Sequence, residues 1–137
     1  MTHGLVTLKT RADFLRVAAA RGRAARPAFI LQAAKRPSEG AAGKEEAGPV
    51  RVGFTASRKV GNAVVRNRAK RRLRALAAEI LTTKGRQGTD YVLVARAIER
   101  ERSYAALKAD LEGALRQLEK RDDRASPLQR RREDIKI

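Results

Sequence analysis

Cysteine is absent from the 137 residues, which excludes a disulfide framework and thiolate chemistry. Aromatic residues make up only 4%, so any core must be built from Val, Leu, Ile and Ala. The single histidine, His3, stands near the N-terminus, where neither a Ser-His-Asp triad nor a His-based zinc site can form around it. No apolar run approaches the length of a membrane span. The opening residues lack the apolar block of a signal peptide. Their Arg and Ala content faintly resembles a transit peptide, but Asp13 and the apolar spacing that follows favour folded structure. No Gly-rich phosphate loop ending in Gly-Lys-Ser/Thr occurs. Acid is missing where base is densest: no Asp or Glu lies between Ala47 and Ala78. The acidic pairs Glu45-Glu46 and Asp122-Asp123 fall in stretches that read as loop and tail.

What is present is positive charge. Lys and Arg number 32 against 15 acids, a net charge of +17. Such a chain repels itself when compact and attracts a polyanion, for which nucleic acid is the first candidate. The length is that of one domain, and 42% hydrophobic residues allow a modest core. Thr10–Ala20 ("TRADFLRVAAA") reads as a capped helix, with Phe14, Leu15 and Ala18 at helical spacing. Arg26–Ala33 ("RPAFILQA") reads as a strand. Residues 35–49 are Gly, Pro, Ala and Glu without periodicity and read as a flexible loop. Val50–Ala56 alternates as a half-buried strand does. A helix capped by Asn62 runs to about Leu81, and Asp90–Arg96 is a third strand. Ser103 opens a last helix with Leu107, Leu111, Leu115 and Leu118 on one stripe. The order α-β-β-α-β-α is that of a small α+β domain over residues 1–120. Residues 121–137 read as a charged, frayed tail.

The segment "RKVGNAVVRNRAKRRLR" (Arg58–Arg74) holds eight basic residues in seventeen. On a helical wheel Val65, Ala69, Leu73, Leu76 and Ile80 share one arc of about 80° and are expected to sit on the sheet. Arg66, Lys70 and Arg74, with Asn67, form a ridge along one border of that arc. Arg68 and Arg72 flank the other border, and Arg71 points away. Cations four residues apart repeat about every 6 Å, a spacing suited to a phosphate backbone. Asn67 adds a donor and an acceptor for a base edge or a ribose hydroxyl. Solvated helix faces usually mix charge signs, and this one does not.

Arg51–Leu76, "RVGFTASRKVGNAVVRNRAKRRLRAL", closely resembles the signature of the bacterial ribonuclease P protein subunit. That signature is a strand R-x-G-hydrophobic-x-x-S-[KR]-K followed by G-N-A-V-x-R-N-R-x-K-R-x-x-R, and every position is filled. The resemblance implies a domain with a left-handed βαβ crossover. It implies a cytoplasmic bacterial protein whose partners are the catalytic ribonuclease P RNA and precursor tRNA. The RNA would cut off the 5′ leader with Mg²⁺ held by RNA and substrate, and no protein side chain would be catalytic. Arg51, Arg58, Lys59, Arg66, Asn67, Arg68, Lys70, Arg71, Arg72 and Arg74 would bind RNA. Phe14, Phe29, Asn67, Lys70 and Arg74 would line or border a groove for the leader. Two positions depart from the family's habit: Ala18 and Gln32 stand where aromatics are common, so the leader would be gripped less by stacking and more by charge.

Other readings of the basic helix fit less well. A DNA-binding helix wants a helix-turn-helix partner just upstream, and a strand lies there instead. A membrane-surface or calmodulin-target helix wants large aromatics on its apolar arc, which here carries Val, Ala, Leu and Ile. Composition alone leaves a ribosomal or RNA-chaperone protein open.

Overall fold

The computed structural model describes residues 5–36, 48–98 and 100–124. Five strands and three helices follow in the order β1 (Val6–Thr7), α1 (Arg11–Ala19), β2 (Gly22–Ala25), β3 (Phe29–Lys35), β4 (Arg51–Ala56), α2 (Ala63–Lys84), β5 (Thr89–Ala95) and α3 (Tyr104–Arg124). A single 3-10 turn, Arg58–Val60, precedes α2. The strands form one mixed sheet in the order β1-β4-β5-β3-β2. β4 runs parallel to both β1 and β5, while β3 is antiparallel to β5 and to β2. The β4–α2–β5 segment is therefore a parallel βαβ unit.

Helix ends form where the sequence places capping side chains. Thr10 Oγ1 accepts from Asp13 N–H, Asn62 Oδ1 from Val65 N–H at 3.0 Å, and Ser103 Oγ from Ala106 N–H. Gly61, before Asn62, sits at φ 150°, and a Cβ there would meet Val65 Cγ1 at 2.8 Å. Helix α2 extends three residues past Leu81 to Lys84, and Thr82 and Thr83 bond their hydroxyls back to helical carbonyls. Helix α3 continues to Arg124, four residues into the stretch expected to fray. Residues 37–47, most of the expected loop, and residues 125–137 lie outside the described residues, whereas Lys35 ends β3.

Alternate strand residues serve two cores. Val52, Phe29, Leu31, Tyr91 and Leu93 face α2 and α3, meeting Leu73, Leu76, Leu81, Leu107 and Leu111. Val92 faces the other way, towards α1, with Leu8, Val17 and the half-buried Phe14. At about 25 cal/mol per Å² of apolar surface, the larger, Leu-rich core carries most of the hydrophobic stabilisation.

The expected buried arc of α2 holds only in its C-terminal half. Leu73, Leu76 and Ile80 are buried, joined by Ala77 and Leu81. Ala69 is half-buried and Val65 is 43% exposed. The sheet lies under the later turns of α2 only, and the first turns overhang it.

Candidate nucleic-acid interface

The basic residues divide by what they touch. On the flank of α2 towards α3, Arg68 donates to Glu101 from Nε at 2.6 Å and from Nη2 at 3.0 Å. Arg72 Nη1 lies 3.7 Å from the same carboxylate, and its Nη2 donates to the Arg102 carbonyl at 2.7 Å. The Arg68 hydrogen bonds hold the Glu101 carboxyl below its ordinary pKa and raise that of Arg68.

The opposite flank is open. Arg66 Nη1 donates to the Gly61 carbonyl, which keeps this side chain along the start of the helix. Lys70, Arg71 and Arg74 have no carboxylate within ion-pair distance among the described residues, and neither do Arg58 and Lys59 of the 3-10 turn. Asn67 is exposed beside them. The Arg74 guanidinium stands 5.7 Å from the centroid of the Phe54 ring, which fixes the ridge over strand β4. The wheel's ridge of Arg66, Asn67, Lys70 and Arg74 is thus present as one cationic edge.

Arg51 is placed differently. It donates from Nε and Nη2 to the two oxygens of Asp90, at 2.8 and 2.7 Å, on the α1 face of the sheet. Arg36 and Arg16 donate to the same carboxylate. Burial pushes the Asp90 carboxyl up, but the bonds from Arg51, Arg36 and Arg16 outweigh it and hold the group below its ordinary pKa. Arg51 is committed to this cluster before any phosphate arrives.

The five residues expected at a leader groove do not share one surface. Phe29 is 0% exposed, deep in the core against α2 and α3, and cannot line a groove. "FIL" opens a strand paired on both sides, by β5 and β2, whose Phe29 and Leu31 are buried and whose Ile30 is half-buried. Phe14 is partly exposed and lies on the α1 face; a Cβ on Gly53 would fall 2.5 Å from its ring, so glycine is what lets the ring rest on β4. Gly53 and Phe54 are consecutive and point to opposite faces. Phe14 and Arg74 therefore lie on either side of a single strand. That strand is near a sheet edge: the register of β1 with β4 ends at Thr7 opposite Val52. Leu15 and Ala18, exposed on α1, adjoin Phe14, and Gln32 is buried.

Among the described residues no group of three or more His, Asp or Glu side chains converges as a metal site would require. Among the described residues no helix is long and apolar enough to cross a membrane.

The family model described as Ribonuclease P matches residues 4–119, which is most of the chain. The chain belongs to the ribonuclease P protein family. Its similarity to curated members is substantial. It is 48% identical to the ribonuclease P protein component of Paramagnetospirillum magneticum over 118 residues, 86% of each chain. Over 116 residues it is 47% identical to that of Ruegeria pomeroyi, covering 84% of this chain and 87% of the relative. The solved ribonuclease P protein of Staphylococcus aureus superposes with a TM-score of 0.61 at 25% identity, covering 80% of this chain and 92% of that one. The Thermotoga maritima protein shares the fold, with a TM-score of 0.61 at 22% identity over 81% and 96% of the two chains. Membership implies a role in an endoribonuclease complex and partnership with ribonuclease P RNA. The Asp90 cluster escaped sequence reasoning. The only signal was a lone acid opening an otherwise apolar strand, which needs a cationic partner when buried.

Proposed function

We propose that this protein docks on the catalytic RNA through α2 and holds the 5′ leader of precursor tRNA at the β4 edge. The reading rests on one observation: Arg74, with no carboxylate in ion-pair distance among the described residues, stands over Phe54 on one face of β4, with Lys70 one turn earlier on α2, while Phe14 covers the strand on the other. A single-stranded leader crossing the edge beyond Val52 meets stacking on the α1 side and charge on the α2 side. Arg58, Lys59, Arg66 and Arg71 continue the positive surface towards the RNA subunit, with Asn67 available to a base or ribose. Arg68 belongs to the far flank and serves assembly. Mg²⁺ is held by RNA and substrate. The setting is the bacterial cytoplasm, and neither membrane nor DNA is a partner.

The test is binding of leader-bearing precursor and mature tRNA by the assembled complex. Lys70→Ala or Arg74→Ala is expected to weaken precursor several-fold more than mature tRNA. Arg68→Ala is expected to weaken assembly with the RNA subunit while sparing that discrimination. Equal losses on both ligands from all three variants would remove the assignment.

A further inference from the structure

The overhang of α2 leaves a cavity of about 280 Å³ between its first turns, the end of β5 and the segment leading to α3. Its walls are apolar, formed by Val60, Val65, Ala69, Leu73 and Ile98. Val65 and Ile98 are two of the few large apolar side chains the fold leaves exposed, and both face this space. Charged residues complete the lining: Arg68, Arg72 and Arg96, whose Nη1 donates to the Arg26 carbonyl, with a single acid, Glu101.

Size narrows the occupant. Sites for drug-sized ligands run to about 300–1,000 Å³, so this one suits a single flat ring system better than a peptide or a helix. Charge narrows it further. Three guanidiniums in the lining favour an occupant that carries anions on either side of an apolar, planar group, which describes a nucleotide within a strand. Proteins that read RNA take unstacked bases into such places, against apolar or guanidinium surfaces, and bond their edges. Glu101 supplies the edge contact. Arg68 Nε and Nη2 each occupy one direction on its two oxygens, and a carboxylate offers about four, so acceptor capacity remains for an exocyclic amino group.

We propose that this cavity receives one unstacked, amino-bearing nucleobase of the RNA subunit, with its amino group at Glu101 and its flanking phosphates at Arg68 and Arg96. The inference rests on the RNA partnership and adds a base-specific contact to a surface made mostly of phosphate-directed charge. It also gives Val65 a role: a valine left uncovered on a basic helix becomes a wall of the base pocket.

The experiment fills the cavity without touching its charges. Ala69→Leu projects into it from α2, and Ala28→Ile from the segment before β3. Affinity for the RNA subunit is measured over a salt series beside the thermal midpoint, and the bases of the RNA are probed chemically in each complex. Each folded variant is expected to bind about five- to 150-fold more weakly, the range of a lost base stack. The slope of log affinity against log salt should not change, because a base contact releases no counterion. One unpaired base protected by the wild-type protein should become reactive. Unchanged affinity in a folded variant, or a loss that flattens the salt slope, would overturn the proposal. Should both variants fail to fold, the wild-type probing decides alone: an RNA with no unpaired base protected by the protein contradicts it. A wild-type protein that does not bind the RNA at all would instead sink the functional reading beneath it.

Discussion

Asp90 is the residue on which the α1 face is organised. Its carboxylate is 0% exposed and receives Arg36 Nη1 at 2.6 Å and two bonds from Arg51, with Arg16 of α1 as the third partner. Four segments of the chain are tied at this one group, among them the helix that carries Phe14. The folded-state pKa is held below the unfolded value of 3.8. Between those two values the unfolded chain binds more protons, so stability there rises with pH. The contribution is complete above the unfolded value and is lost as pH falls through the folded one. Asp90→Asn leaves three guanidiniums facing a neutral group and is expected to cost about 3 kcal/mol at neutral pH; the partial exposure of those arginines keeps it at the low end for a broken buried pair. Chemical denaturation across pH checks this: the gap between wild type and variant should shrink below about pH 4. A gap that stays constant to lower pH would show that charge is not the cause.

At the scale of elements, the first turns of α2 are the most informative. They carry the signature residues, yet the sheet does not support them. Their order depends on the Asn62 cap and the Gly61 turn, since Val65 lacks a buried environment. Asn62→Ala is expected to cost about 1 kcal/mol. It should also lower RNA affinity out of proportion, because Arg66 and Asn67 lie within the frayed turn. Amide exchange localised to residues 63–67, compared with the affinity, checks this; fraying with unchanged affinity would contradict it. The same turns mark how far a wheel reaches. Periodicity found the charged ridge and the buried Leu73, Leu76 and Ile80, because those follow from helical geometry alone. It misplaced Val65, because no local pattern tells where a sheet stops. Two strands were also illegible. β1 is two residues long, and β2, "GRAA", has no β-branched or aromatic residue. Each is a strand only because a neighbour presents the ladder, through β4 and β3 respectively. Phe29 shows the same limit: the sequence identifies a strand but not that it lies between two others.

The whole molecule is governed by its charge of +17. Pairing decides how much of it is available. Arg51 is bound to Asp90, and Arg68 and Arg72 share Glu101, so that Arg68 keeps only the N–H groups Glu101 does not take; Arg58, Lys59, Arg66, Lys70, Arg71 and Arg74 are the open set around α2. Four to six phosphate contacts at about 0.7 each give an expected slope of about 3 to 4 for the fall of log affinity with log salt on single-stranded RNA. A nearly flat dependence, measured by titration from low to moderate salt, would refute phosphate-dominated binding. The α+β class and the order of the three helices and the three longer strands were readable from the sequence, because each long element carries its own period and caps. The meeting of Phe14 and Arg74 across one strand was not, because it depends on which faces α1 and α2 choose.

The central claim of the function proposed above is that this chain assists cleavage whose chemistry belongs to RNA. Its sequence has one His near the N-terminus, no Cys and no acid between Ala47 and Ala78, whereas its basic surface is suited to stabilising a developing anion. The direct measurement uses protein purified under denaturing conditions, refolded, freed of RNA by nuclease treatment and separated from the nuclease, with end-labelled precursor tRNA. The protein alone should leave the precursor intact. Adding ribonuclease P RNA should give cleavage at the 5′ maturation site, with the protein required at low Mg²⁺ because its charge offsets repulsion between the two RNAs. Cleavage at that site by the RNA-free protein, abolished by mutating one of its own carboxylates, would contradict the account.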